Sequence, residues 1–148
     1  MKMTALRLGL LLVWLLTNPL SLVRAQQDET IYDKDVKVVE YEDMKYPPIA
    51  ETAHIEGVVV VRVKLDREGK VVDAMAASGN ALLKRPCLDN AKKWKFDPNP
   101  QNAAILVYNF RLIMYPALCS PEGTSLFILY PPNFASVTGC GGGPMDSK

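Results

Sequence analysis

The stretch GVVVVRVKLDREGKV, residues 57–71, decides the fold of this chain. Val59, Val61, Val63 and Leu65 alternate with mostly polar residues, which predicts a strand with one buried face. Residues 66–69 end in glycine, where a hairpin loop of this length often needs a positive φ. The stretch therefore predicts a strand, a tight turn and a second strand that runs to about Ala77.

A helix and a third strand are predicted after this hairpin. The helix follows the turn at residues 78–80 and runs to about Phe96, with Pro86 expected in its first turn. Its inward face carries three residues at the i, i+4, i+7 spacing, namely Cys87, Ala91 and Trp94. The third strand is predicted from Ala104 to about Met114, and one of its faces should meet the helix; that face holds Leu106, Tyr108, Phe110, Leu112 and Met114.

This order of elements predicts an α+β fold with a small antiparallel sheet. A strand reached through a helix should run parallel to the strand that the chain left. The first strand would then lie between the other two, in the order 2-1-3, with the helices on one face. In this arrangement the third strand forms an edge of the sheet.

Both flanks of this core differ from it in composition. Residues 26–44 are rich in acidic side chains and predict a flexible arm, with a short strand at residues 36–39; residues 49–55 predict two turns of helix. Residues 116–148 form an extension in which Ser125 to Tyr130 predicts an extra strand that could pair with an exposed edge. Residues 139–144 are glycine-rich and predict a mobile tail.

Residues 1–25 are typical of a secretory signal. A basic start precedes an apolar run at residues 8–16, and Val23 and Ala25 are compatible with cleavage before Gln26. The run is about half the ~20 apolar residues that a membrane-spanning helix needs. Export is therefore expected, with an uncleaved N-terminal anchor as the alternative. Export would place the cysteines in an oxidising compartment.

Charge and composition exclude several classes of function. The 17 basic residues include Lys2, Arg7 and Arg24 of the leader, so 14 remain against 16 acidic residues and the mature chain is near −2. A nucleic-acid binder would need a basic surface instead. With one histidine, three cysteines and no CxxC or HxxxH spacing, neither a metal site nor a cofactor is expected.

The three cysteines allow more than one interpretation. Cys119 and Cys140 flank the extra strand and could close a loop of roughly 20 residues, which would add about 3 kcal/mol of stability. Cys87 is expected to be a small core residue. A Cys87–Cys119 pair is the alternative. A catalytic Cys87–His54 pair is not favoured, because a buried thiol would be inert.

Several motifs together resemble the C-terminal domain of TonB, the periplasmic energy transducer of Gram-negative bacteria. They occur in order over about residues 45–114: Tyr46-Pro47, Ile55-Glu56-Gly57, VxVRVxLDxxGKV from Val59 to Val71, Ser78-Gly79, and LDNAKKWKFDP at residues 88–98. The resemblance assigns residues 45–115 to one domain of this type. It implies a small antiparallel sheet backed by helices, and no catalytic activity.

The resemblance implies a binding function. Domains of this family capture an extended segment of an outer-membrane receptor by adding it as a strand at a sheet edge, a mode that relies on backbone hydrogen bonds. The corresponding candidate partner-binding residues here are Tyr46, Pro47, Leu106, Val107, Tyr108, Asn109, Arg111 and Ile113. A homodimer formed through the same edge is the alternative partner.

Two departures from the family's energised members shape the functional hypothesis. Those members keep an N-terminal membrane helix and a long Pro-rich spacer, whereas about 20 residues separate this leader from Tyr46. We therefore expect a free periplasmic interaction module. The alternatives are a membrane-anchored energy transducer facing the periplasm, and a structural accessory domain whose sheet edge is capped internally by residues 125–130.

Overall fold

The computed structural model describes residues 36–114, 119 and 125–141. Within them the chain forms seven strands and two helices. In chain order these are β1 (Val38–Glu40), α1 (Pro48–Thr52), β2 (Gly57–Leu65), β3 (Val71–Ser78), α2 (Ala81–Ala91), β4 (Lys95–Phe96), β5 (Ala103–Ile113), β6 (Leu126–Tyr130) and β7 (Phe134–Cys140). The predicted leader lies outside the described residues.

A five-stranded sheet dominates the fold, with the order β3-β2-β5-β7-β6. β2 is antiparallel to both neighbours, with Val63 opposite Ala74 on β3 and Ala104 on β5. β7 runs parallel to β5 and antiparallel to β6. The α+β class is confirmed.

The predicted order 2-1-3 is found only as the β3-β2-β5 part of this sheet, which has five strands and is mixed rather than antiparallel. β5 was expected to be an edge, but β7 pairs along it from Val107 to Ile113. The glycine-rich sequence at 139–144 concealed β7, because Gly139 and Cys140 were assigned to a mobile tail and are the end of this strand. The extra strand at residues 125–130 pairs with β7 and not with β5.

One face of the sheet packs against α2 to form the core. Trp94, Tyr108 and Phe96 are among the largest fully buried side chains. Cys87 and Ala91 are also fully buried, as the helical spacing predicted. Towards the end of β5 the inward face becomes exposed, since 59% of Met114 is accessible to solvent.

The end of α2 differs from the prediction. The helix begins after Asn80, whose side chain accepts a hydrogen bond from the Leu82 N–H at 2.9 Å. It ends at Ala91, and residues 95–96 form β4, because the Phe96 N–H donates to the Gly69 carbonyl at 2.8 Å instead of continuing the helix. Pro86 lies inside the helix, where it has no N–H for the carbonyl four residues earlier.

Residues 36–44 of the predicted flexible arm are packed on the domain. β1 pairs with β4, and Val36 and Met44 are buried. The Lys93 ammonium, just beyond the end of α2, lies 2.6 Å from the Glu42 carboxylate, and this ion pair links the acidic segment to the domain. Residues 26–35 lie outside the described residues.

The first helix is shorter than predicted. α1 has five residues and ends at Thr52, because His54 adopts a positive φ of 53°. Among the described residues, no helix is long and apolar enough to cross a membrane.

Candidate functional site

The candidate partner-binding residues on β5 lie inside the sheet. Leu106, Val107 and Tyr108 are buried, Asn109 and Ile113 are half-buried, and Arg111 is exposed. The Val107 N–H donates to the Asn133 carbonyl at 2.9 Å, and the Gly141 N–H donates to the Ile113 carbonyl at 3.1 Å. The chain's own β7 therefore fills the edge on which a partner strand was expected.

Tyr46 lies beside this edge as a core residue. Only 2% of it is exposed, and its ring meets Phe110 edge-on with 5.4 Å between ring centroids. Its hydroxyl donates to the Ile55 carbonyl at 2.7 Å, and its backbone N–H donates to Ser125 Oγ at 2.8 Å. Desolvation, followed by the charges of Glu56 and Glu51, raises the pKa of Tyr46 to about 12. Tyr46 is therefore a neutral anchor between α1 and the sheet.

Two further side chains of the α1 region contact the end of β7. Glu51 Oε1 accepts a hydrogen bond from the Cys140 N–H at 2.9 Å, and His54 Nε2 lies 2.9 Å from the Gly141 carbonyl oxygen. Glu51 was not among the predicted site residues, since no local pattern indicates that a strand ends beside it. His54 is exposed.

Pro47, the other predicted residue of this region, precedes α1. It is the N-cap of the helix, and its carbonyl accepts from the Glu51 N–H at 2.9 Å. Pro47 is itself buried. Pro47 thus sets the start of the helix that carries Glu51 towards β7.

A disulfide fastens the same end of β7. Cys119 and Cys140 are bonded, with 5.9 Å between their Cα atoms, which confirms the favoured pairing. The alternative Cys87–Cys119 pair is wrong, because Cys87 is a free and fully buried thiol. Desolvation raises the pKa of Cys87 well above its ordinary value, so the thiol stays protonated and is a poor nucleophile.

β6 forms one edge of the five-stranded sheet, and β3 forms the other. Leu126, Ile128 and Tyr130 are 56%, 38% and 51% exposed, whereas Phe127 packs inward and stacks on Tyr41 with ring centroids 6.0 Å apart. None of the five residues of β6 carries a charge. This apolar strand is located where a further strand could be added.

Charged side chains form no metal-binding arrangement in the part of the chain that the structure describes. No group of three or more His, Cys, Asp or Glu residues there could hold an ion.

Comparison with known proteins supports the predicted resemblance. Residues 42–112 match the family described as "Gram-negative bacterial TonB protein C-terminal", which confirms the resemblance. "Protein TonB" of Xanthomonas campestris pv. campestris (strain B100) is 40% identical over 60 residues, covering 39% of this chain and 27% of that protein. "Protein TonB" of Vibrio cholerae serotype O1 is 32% identical over 71 residues, covering 47% of this chain and 29% of that protein. The matched region thus spans less than a third of either relative.

A solved structure is also similar. The solution NMR structure of the Pseudomonas aeruginosa TonB CTD aligns with a TM-score of 0.42 and 22% identity, covering 52% of this chain and 86% of that one.

Proposed function

We propose, from the match of residues 42–112 to the TonB C-terminal family, that this chain is an exported protein–protein interaction module. It would bind an extended segment of a protein partner by strand addition, within TonB-dependent transport at the outer membrane. The candidate partner is a segment of an outer-membrane receptor. The Cys119–Cys140 disulfide supports an oxidising, periplasmic location.

The uncharged edge of β6 is the observation that carries this proposal. Natural proteins protect exposed edge strands with charges, proline or bulges, because unpaired N–H and C=O groups recruit other strands. β6 has none of these devices within Leu126–Tyr130, and Pro131 follows only after its last residue. An added strand would gain backbone hydrogen bonds and apolar contacts with Leu126, Ile128 and Tyr130.

Internal capping favours a second candidate function. β7 covers the predicted edge of β5 along seven residue pairs, as expected of a structural accessory domain without a peptide partner. The cap differs from the expected one, because Phe134–Cys140 forms it rather than residues 125–130. A membrane-anchored transducer remains the alternative if residues 1–25 are not removed.

Photo-crosslinking can test the binding function. A photoreactive amino acid at position 128 should capture an outer-membrane receptor when the full chain is expressed in the periplasm of a Gram-negative host. The matched control is position 72, where Val72 is 62% exposed on the opposite edge strand, β3. Capture of the receptor at 128 and not at 72 would support strand addition at β6.

Two results would contradict the proposal. Equal capture at both positions would show a non-specific surface and would favour the accessory role. Crosslinks only to a second copy of the chain would show that β6 makes a homodimer. Ile128→Lys should abolish a specific crosslink placed at position 130, because a charge on an edge strand opposes pairing.

A further inference from the structure

The edge of β5 has the features of a strand-binding site that is already occupied. β7 runs parallel to β5 from Val107 opposite Phe134 to Ile113 opposite Cys140. Two parallel neighbouring strands are usually joined by a long crossover connection. β7 therefore reaches the edge of β5 as a segment that is separate from β5 in the chain. The segment supplies the hydrogen bonds that a partner strand would supply.

The residues that receive β7 belong to the family-matched part of the chain. Tyr46, Glu51 and His54 lie within residues 42–112, whereas β7 lies beyond them. Glu51 accepts from the Cys140 N–H, His54 is bonded to the Gly141 carbonyl, and Tyr46 covers Gly139. The domain thus provides both a backbone ladder and side chains that hold the end of an added strand.

The occupant shows which chemistry the site accepts. Phe134–Cys140 contains no charged residue, and its inward side chains Ala135 and Val137 are 1% and 0% exposed. A Cβ at position 139 would stand 2.7 Å from the Tyr46 ring, so only glycine fits there without a shift. The site therefore suits an uncharged, extended segment with small apolar residues at alternate positions and glycine opposite Tyr46.

The disulfide determines how strongly the occupant is retained. Cys119 and Cys140 are 21 residues apart, and their bond ties the end of β7 to a point close behind β5 in the chain. Cys119 Sγ is also 3.9 Å from the Ile113 carbonyl oxygen. A tethered strand competes at a high effective concentration, which a second attachment point raises further.

We infer that residues 134–141 are a resident, self-supplied ligand of a strand-binding site on β5. An extended partner segment of the same chemistry would compete with this ligand, and the disulfide would set the strength of that competition. This inference rests on the proposed function, since it assumes that the domain binds by strand addition. At this site, as distinct from the β6 edge, a partner segment would contact Tyr46 and the β5 residues Val107–Ile113.

Binding of the chain's own segment to the full-length protein tests the inference. The probe is a fluorescent peptide of residues 133–141 that carries Cys140→Ser. The proteins are the oxidised chain, the Cys119→Ser/Cys140→Ser variant, and the same variant with Gly139→Ala, whose own strand no longer fits against Tyr46. We expect affinity for the peptide to increase in that order, by at least about tenfold overall, because the tethered competitor is progressively weakened.

A peptide in which Gly139 is replaced by alanine is the matched control and should not bind to any of the proteins. Hydrogen exchange provides a second measurement should the triple variant lose its fold. The β5 amides that face β7 are those of Val107, Asn109, Arg111 and Ile113. They should exchange faster in the double cysteine variant than in the oxidised chain, while those of Val59–Val63 stay unchanged.

The inference is overturned if the probe binds all three proteins equally, or binds none while β5 exchange is unaffected. Both tests are independent of the crosslink at position 128, which probes β6 and a natural partner. Failure of that crosslink alone would reject the β6 proposal and leave the β5 site standing.

Discussion

The carboxylate of Glu51 accepts a hydrogen bond from the backbone N–H of Cys140, with 2.9 Å between Oε1 and N. The two residues are 89 positions apart, so this contact joins the helix near the start of the domain to its last strand. It also satisfies an N–H at the end of β7, where regular pairing stops. The contact therefore connects the candidate partner-binding region to the segment that occupies it.

Removing this acceptor should loosen the end of β7. Glu51→Ala leaves the Cys140 N–H without its charged acceptor, and hydrogen bonds to charged groups contribute about 1.5–3 kcal/mol. We expect a loss of unfolding free energy of about 1–2 kcal/mol in urea. Glu51→Gln keeps an acceptor and should lose less. Glu68→Ala, at an exposed glutamate of the β2–β3 turn, is the control; a loss of equal size there would contradict the assigned role.

Trp94 should be the most sensitive position of the core. Its side chain is 1% exposed, its ring meets those of Phe96, Tyr108 and Phe127, and its Nε1–H donates to Asn90 Oδ1 at 3.0 Å. Trp94→Ala should reduce the unfolding free energy by about 3–5 kcal/mol, since it creates a large cavity.

The control for Trp94 is an exposed apolar side chain. Val72→Ala, at a residue that is 62% exposed, should change stability by less than about 0.5 kcal/mol. A urea midpoint for Trp94→Ala within the range of this control would show that the core does not depend on Trp94.

The hairpin and the helical stripe could be predicted because their signals are local. Val59, Val61 and Val63 alternate along β2, and all three are buried as the pattern indicates. Gly69 has a φ of 80°, as the turn requires. Such patterns depend on residues that are close in sequence, and tertiary contacts did not override them.

The occupied edge could not be predicted, because β7 combines features that usually indicate a loop. Ser136 and Thr138 are polar and Gly139 has no side chain, so the strand has few apolar residues. It becomes stable only through its long-range pairing with β5. The contacts of Glu51 with Cys140 and of His54 with Gly141 depend on that pairing. The early end of α2 has a similar cause, since Phe96 bonds to Gly69, which is distant in sequence.

The disulfide should add substantial stability to the domain. The chain-entropy estimate for a loop of this length is about 3 kcal/mol, so Cys119→Ser/Cys140→Ser should lower the unfolding free energy by about 2–4 kcal/mol. The measurement is urea unfolding with and without dithiothreitol. The reductant should destabilise the oxidised chain by a similar amount and should leave the double variant unchanged. A double variant that still responded to dithiothreitol would show that the loss does not come from this bond.

Tyr46 should make the stability of the domain decrease at alkaline pH. Burial and the nearby carboxylates raise its pKa from 10.0 to about 12, so folding favours the neutral phenol. Its contribution to stability is fully present below about pH 10 and is lost as the pH rises towards 12. Tyr46→Phe cannot ionise, so its stability should fall less steeply in this interval. At neutral pH the variant should lose about 1 kcal/mol, the typical net value of one hydrogen bond, here the one to the Ile55 carbonyl.

The readout for Tyr46 is urea unfolding across this interval, together with the tyrosinate absorbance of the folded chain. The pKa of Tyr108 is also raised by desolvation, so part of the alkaline decrease should persist in Tyr46→Phe. Tyr130→Phe is the matched control, because that side chain is 51% exposed on β6. If Tyr46→Phe and Tyr130→Phe gave the same profile as the original chain, the hydroxyl of Tyr46 would not be the group whose ionisation unfolds the domain.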